Sequence, residues 1–119
     1  MQDTRRRSTT SVKIHYPKFT RAEVIEKLSN KIRELNRSTP VKEAYLFGSY
    51  AKGNYTASSD IDVLIVVEGG DPDAYKKAYK ILRMPRLELH MYTTNDYIEL
   101  KKKSPATIKK LLVNSEKLI

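Results

Sequence analysis

The chain has 119 residues, 39% of them hydrophobic and 31% charged, with a formal net charge of +9, which fits one domain around a modest core. No run approaches the roughly 20 apolar residues that cross a bilayer, the arginine-containing N-terminus lacks the apolar segment of a signal peptide, and the absence of cysteine excludes disulfides and thiolate metal sites. The cytoplasm is therefore the expected setting, and the basic balance favours polyanions: triphosphates, RNA or an acidic partner protein.

Residues 1–11 are polar and basic, with Arg5, Arg6 and Arg7 together, and read as a tail. Val12, Ile14 and Tyr16 alternate with Lys13 and His15, predicting a short edge strand or extended arm, so residues 1–19 are expected to form an arm and 20–119 the folded domain. Thr20 and Glu23 have capping-box spacing, and Val24, Ile25, Leu28, Ile32 and Leu35 then share one helical face; this helix should end before Pro40. Lys27, Lys31, Arg33 and Arg37 make it basic. Residues 41–47 read as a strand stopped by Gly48, residues 49–52 as one helical turn, and 53–59 as a polar loop. Residues 60–67 (DIDVLIVV) are the strongest strand, dense in β-branched side chains.

After a Gly-Gly turn, residues 73–83 look helical with Ala74, Ala78, Ile81 and Leu82 inward. Pro85 breaks that helix and 86–92 read as a third strand. Thr94 is placed to cap a helix running to about Lys103, in a stretch that includes Lys101 and Lys102, and Ser104-Pro105 starts another with proline at its first position. Lys109 and Lys110 complete a basic C-terminal region. The expected fold is α/β (α+β), a small mixed β-sheet flanked by helices.

The chemistry concentrates in Gly48-Ser49, ten further residues, and then Asp60-Ile61-Asp62. On a strand, positions two apart face the same way, so Asp60 and Asp62 should present their carboxylates side by side. A strand otherwise written in Ile, Leu and Val is an expensive place for two negative charges, which raise one another's pKa or require a cation. A hard divalent ion resolves the conflict, since it takes carboxylate and phosphate oxygens. Gly48 permits unusual dihedrals and close ligand approach, and the N–H groups from Ser49 onward suit phosphate oxygens, with Lys52 in reach. A DxD triplet alone more often just ends a loop, and Gly-Ser alone is an ordinary turn. The whole spaced pattern should arise by chance on the order of once in a thousand chains of this length.

If Gly48 and Asp60 serve one triphosphate, the ends of their strands must be adjacent and the two strands antiparallel. Glu88, near the start of the third strand, is reached through a helix long enough for a parallel crossover, which sets it beside Asp60 and Asp62. It would act there as a third metal ligand or as general base. His90 shares its face and is the rival, although a lone strand histidine is more often packed than catalytic.

The run LFGSYAKG followed by SSDIDVLIVV resembles the signature of the DNA polymerase β-like nucleotidyltransferases, in particular the small prokaryotic branch, the minimal nucleotidyltransferases. The resemblance covers roughly residues 41–92, with the preceding helix also in keeping. It implies a nucleotidyltransferase fold and an Mg²⁺- (or Mn²⁺-) dependent site. It also implies transfer of a nucleoside monophosphate, expected to be AMP from ATP, with loss of pyrophosphate. By position, Gly48 and Ser49 fall on its phosphate-binding pair, Asp60 and Asp62 on its first two metal ligands, and Glu88 on its third acidic position. Glu88 stands where aspartate is commoner, and Lys52 where arginine is frequent, which keeps charge but loses bidentate phosphate contact.

Small members resembling this chain are often paired with a helical HEPN-domain protein in toxin–antitoxin systems, with the nucleotidyltransferase as antitoxin, in some cases adenylylating its partner. Three activities compete: an enzyme whose acceptor is a partner protein, a non-catalytic antitoxin acting by contact, and a basic RNA-binding protein of the same fold. Intact Gly48, Ser49, Asp60 and Asp62 favour the first. Little sequence remains to position an acceptor, so a second copy or a HEPN-type partner is expected to supply that surface.

Overall fold

The computed structural model describes residues 18–119; the expected basic tail, the extended arm through Tyr16 and the Arg5–Arg7 cluster lie outside the described residues. The described chain opens on α1 (Arg21–Ser38), whose start is the expected capping box: the Thr20 hydroxyl accepts from the Glu23 N–H at 3.1 Å, and the Glu23 carboxylate accepts from the Thr20 N–H at 2.8 Å. Four residues of its inner face, Val24, Leu28, Ile32 and Leu35, are fully buried.

There follow β1 (Val41–Phe47), α2 (Gly48–Lys52), β2 (Ile61–Val67), α3 (Ala74–Leu82), β3 (Leu87–Thr93), α4 (Thr94–Lys103), α5 (Pro105–Leu112) and β4 (Glu116–Lys117). The strands form a four-stranded sheet in the order β3-β2-β1-β4. β1 and β2 are antiparallel, and β2 and β3 parallel across the α3 crossover, as the position of the candidate site required.

The central strand explains its own sequence. Ile61, Val63, Ile65 and Val67 face α1 and α3 in one cluster, with Ala44, Leu46, Ala78, Leu82 and Leu89. Leu64 and Val66 face the other way, into a second cluster closed by Tyr97 of α4 and Ile108 of α5. A strand covered on both sides reads as a continuous apolar run, and only Asp62 interrupts it.

Several local expectations are corrected, and the third strand runs over Leu87–Thr93, one residue later than the expected 86–92. The cap of α4 is Thr93, not Thr94: the Thr93 hydroxyl accepts from the Asp96 N–H at 3.2 Å, whereas the Thr94 hydroxyl donates to the Val67 carbonyl at 3.2 Å. The helix expected over 73–83 is one residue shorter at each end. The chain also adds β4, whose pairing with β1 is supported by the Leu118 N–H donating to the Ala44 carbonyl at 2.8 Å and by an Arg21–Glu116 ion pair at 2.8 Å. Among the described residues no helix is long and apolar enough to cross a membrane.

Candidate active site

The site lies where β1 ends and β2 and β3 begin, on the face that α4 and α5 cover only in part. Phe47, the last residue of β1, is in register with Asp62 on β2, and Asp62 is in register with Glu88 on β3. Residues 47, 62 and 88, far apart in the chain, thus form one row across the sheet.

Gly48 turns the chain out of β1 with φ +76°, a conformation that L side chains rarely adopt. A Cβ on Gly48 would also run into the Asp62 carboxylate. Glycine is required there twice, by backbone conformation and by the space that Asp62 fills. The following turn is held firmly: Tyr50 and Ala51 are buried, the Tyr50 hydroxyl donates to the Phe19 carbonyl at 3.0 Å, and its ring stacks on Tyr55 at 4.2 Å. Arg21 donates through Nε to the Ala51 carbonyl at 3.1 Å. Ser49 is half-buried at the start of this turn, and Lys52 is exposed at its end.

Asp62, Glu88 and His90 form a group whose potential ligand atoms all lie within 4.8 Å of one another. Asp62 is half-buried, and burial pushes its pKa above the ordinary carboxylate value; the charges of Asp60 and Glu88 push it further, while His90 pulls it back. Glu88 and His90 are exposed, with His90 Nε2 at 3.9 Å from a Glu88 oxygen and its ring 5.4 Å from that of Phe47.

Asp60 is near enough to act on Asp62, but it precedes β2, lies outside this group of three, and is ion-paired with Arg86 at 3.2 Å. Arg86 adopts φ +61°, and its carbonyl accepts from the Ile61 N–H at 2.8 Å, tying the start of β2 to the approach to β3. Sequence reasoning passed over Arg86. Its signal was parity: in the parallel register that sets Asp62 against Glu88, Asp60 falls against Arg86.

A pocket of about 190 Å³ adjoins these groups, with His90, Phe47 and Leu64 on the sheet side and Thr107, Ile108 and Leu111 of α5 opposite. Two carboxylates and an imidazole within mutual reach, one carboxylate being half-buried and short of compensating charge, form a donor set that fits a divalent cation.

A family model described as the nucleotidyltransferase domain matches residues 25–117. Two curated proteins of Methanocaldococcus jannaschii, each named as a putative protein adenylyltransferase, are similar: one is 61% identical over 33 residues, the other 33% identical over 82 residues. The first match spans 28% of this chain and 30% of that relative, and the second 69% and 72%. A crystal structure of a putative nucleotidyltransferase from Sulfolobus solfataricus matches the fold with a TM-score of 0.52 and 22% identity, over 66% of this chain and 75% of that one.

Proposed function

The chain belongs to the nucleotidyltransferase domain family, and from that membership we propose that it moves AMP from ATP onto a hydroxyl of a partner protein. The observation that carries this reading is the row formed by Phe47, Asp62 and Glu88, with Gly48 turning the chain out of β1 against the Asp62 carboxylate. The adenylyltransferase name of the relative that matches over most of its length favours ATP as donor and a protein as acceptor.

The backbone N–H groups after Gly48, the Ser49 hydroxyl and Lys52 hold the leaving phosphates. Asp60 and Asp62 would hold divalent metal, Mg²⁺ or Mn²⁺, with Glu88 available as a third ligand; the ion supplies charge neutralisation on the phosphates. Glu88, exposed and able to reach a docked hydroxyl, takes the acceptor proton as that oxygen bonds to the α-phosphorus and the bond to pyrophosphate breaks. The partner fits the helical HEPN type that accompanies similar small nucleotidyltransferases, with this chain as antitoxin and the cytoplasm, where ATP is plentiful, as the setting. Incubating the protein with labelled ATP, Mg²⁺ and its co-purifying partner, and weighing both chains intact, tests the reading. A gain of one AMP on the partner supports it; no gain on either chain, with ATP unbound, overturns it.

One surface favours a second reading, nucleic-acid binding. On the exposed side of α3, Tyr75 and Tyr79 are about half exposed with ring centroids 6.2 Å apart, and Lys76, Lys80 and Arg83 line the same depression. Stackable rings interleaved with cations suit single-stranded RNA. Fluorescence anisotropy with a short labelled RNA, on the wild type and on Tyr75→Ala/Tyr79→Ala, separates this activity from the first.

A further inference from the structure

We propose that His90 is itself a metal ligand, making the site a mixed nitrogen–oxygen one that selects Mn²⁺ over Mg²⁺. This deepens the reading above and rests on it. The geometry is specific. His90 stands two residues after Glu88 on the same face of β3, and its ligand atoms reach those of both Asp62 and Glu88 within 4.8 Å. The remaining aspartate, Asp60, is turned to Arg86 at 3.2 Å and is not in that group. The three donors nearest one another are therefore two carboxylates and an imidazole.

That composition has a chemical consequence. Mg²⁺ is bound through oxygen in a near-ideal octahedron and gains little from an imidazole. Nitrogen donors favour transition ions; Mn²⁺ shares the octahedral, oxygen-rich habit of Mg²⁺ but, as the softer ion, gains more from one imidazole among carboxylates. The rival role for His90 is that of a counter-ion: protonated, it would sit 3.9 Å from Glu88 as a positive charge and keep cations out. The two roles predict opposite effects of removing it. A counter-ion, when deleted, leaves a more negative site that binds every divalent ion better. A ligand, when deleted, weakens Mn²⁺ selectively.

The test uses the full chain with a non-hydrolysable ATP analogue, titrated with Mn²⁺ or Mg²⁺ by calorimetry, for the wild type, His90→Ala and His90→Gln. Pulsed electron paramagnetic resonance of the Mn²⁺ complex runs in parallel, because a ligating imidazole imposes a ¹⁴N modulation that a bystander does not. The expected result is a ¹⁴N signal in the wild type that vanishes in both variants, together with a loss of Mn²⁺ affinity of about tenfold or more. Mg²⁺ affinity should change by less than about threefold. Asp62-dependent metal binding with no ¹⁴N signal, or variants that bind both ions more tightly, overturns the His90 assignment and leaves the transferase reading standing. Failure of the wild type to bind either ion overturns both.

Discussion

The carboxylate of Asp62 occupies the space that a side chain on Gly48 would need. The turn that leaves β1 and the acid that interrupts β2 are thus one fitted unit, and a side chain on Gly48 would have to displace Asp62. Gly53, at the other end of the same short helix, provides the control: it too has positive φ, at +86°, but a Cβ there meets nothing within 4 Å. Gly53→Ala should lose only the backbone part, about 1 kcal/mol, and bind ATP normally. Gly48→Ala adds the displacement of Asp62, so it should lose about 1–3 kcal/mol and at least tenfold in ATP affinity. Denaturant melts and calorimetry on the pair decide the matter; equal losses in both would remove the significance of the contact.

Asp62 also predicts a pH effect. Its pKa is raised in the folded state, first by burial and then by Asp60 and Glu88, so the folded protein binds that proton more readily than the unfolded chain does. The ionised carboxylate therefore lowers stability at neutral pH, and the deficit shrinks as pH falls through the raised pKa. Asp62→Asn should raise the melting temperature of the metal-free protein by a few degrees at pH 7, with the gain fading in mild acid. Saturating metal and ATP should reverse the order, since only the wild type then gains binding energy. Thermal melts with and without ligand check both halves. A variant less stable than the wild type at neutral pH without metal would count against a charge held for function.

Much of this was legible in the residues. The apolar run from Ile61 to Val67, broken only by Asp62, announces a buried strand, and Thr20 with Glu23 announces a helix start through local chemistry alone. The antiparallel and parallel pairings followed from requiring Gly48, Asp60 and Glu88 to meet. What escaped was nonlocal. Adjacent threonines are equivalent on paper, and only the nearness of the Val67 carbonyl draws Thr94 away from the cap and leaves it to Thr93. β4 is two residues long, has no periodicity to read, and is supported by distant Arg21 and Ala44. Parity placed Asp60 and Asp62 on one face, but Asp60 lies just before β2, where Arg86 takes its carboxylate. The residues single out His90 as the rival to Glu88 on its face, but its closeness to Asp62 is visible only once β2 and β3 are in register.

Glu88 should affect chemistry more than binding. It faces Asp62 in register but is exposed, which suits a group that must meet an incoming hydroxyl. Glu88→Gln preserves size while removing the base, so turnover should fall by roughly two to four orders of magnitude, far more than ATP affinity does. Single-turnover kinetics with the partner as acceptor separates the two. If His90→Ala abolishes turnover while Glu88→Gln leaves it intact, the base has been assigned to the wrong residue.

α1 and α3 pack against one face of the sheet and α4 and α5 against the other, while the short α2 forms the turn proposed to hold the nucleotide. In the reading proposed above, these elements hold the triphosphate, and the acceptor comes from a partner protein. Alignment supplies much of the rate in phosphoryl-type transfer, because little covalent chemistry is left for the protein to perform. A docked partner protein would supply that alignment in the proposed reading. Lys101, Lys102 and Lys103 end α4 on the same side of the sheet as Asp62 and Glu88, all exposed, with Lys101 partly engaged over the Tyr97 ring at 4.7 Å. Lys102 and Lys103 remain to steer an acidic partner. Reversing both to glutamate should lower the partner-stimulated rate by about tenfold or more, mostly through association, and leave ATP binding unchanged. The wild-type rate should itself fall with added salt, while the variant responds weakly. Efficient transfer onto a small molecule by the isolated monomer, insensitive to salt and to these lysines, would show that the acceptor site is already contained in this chain.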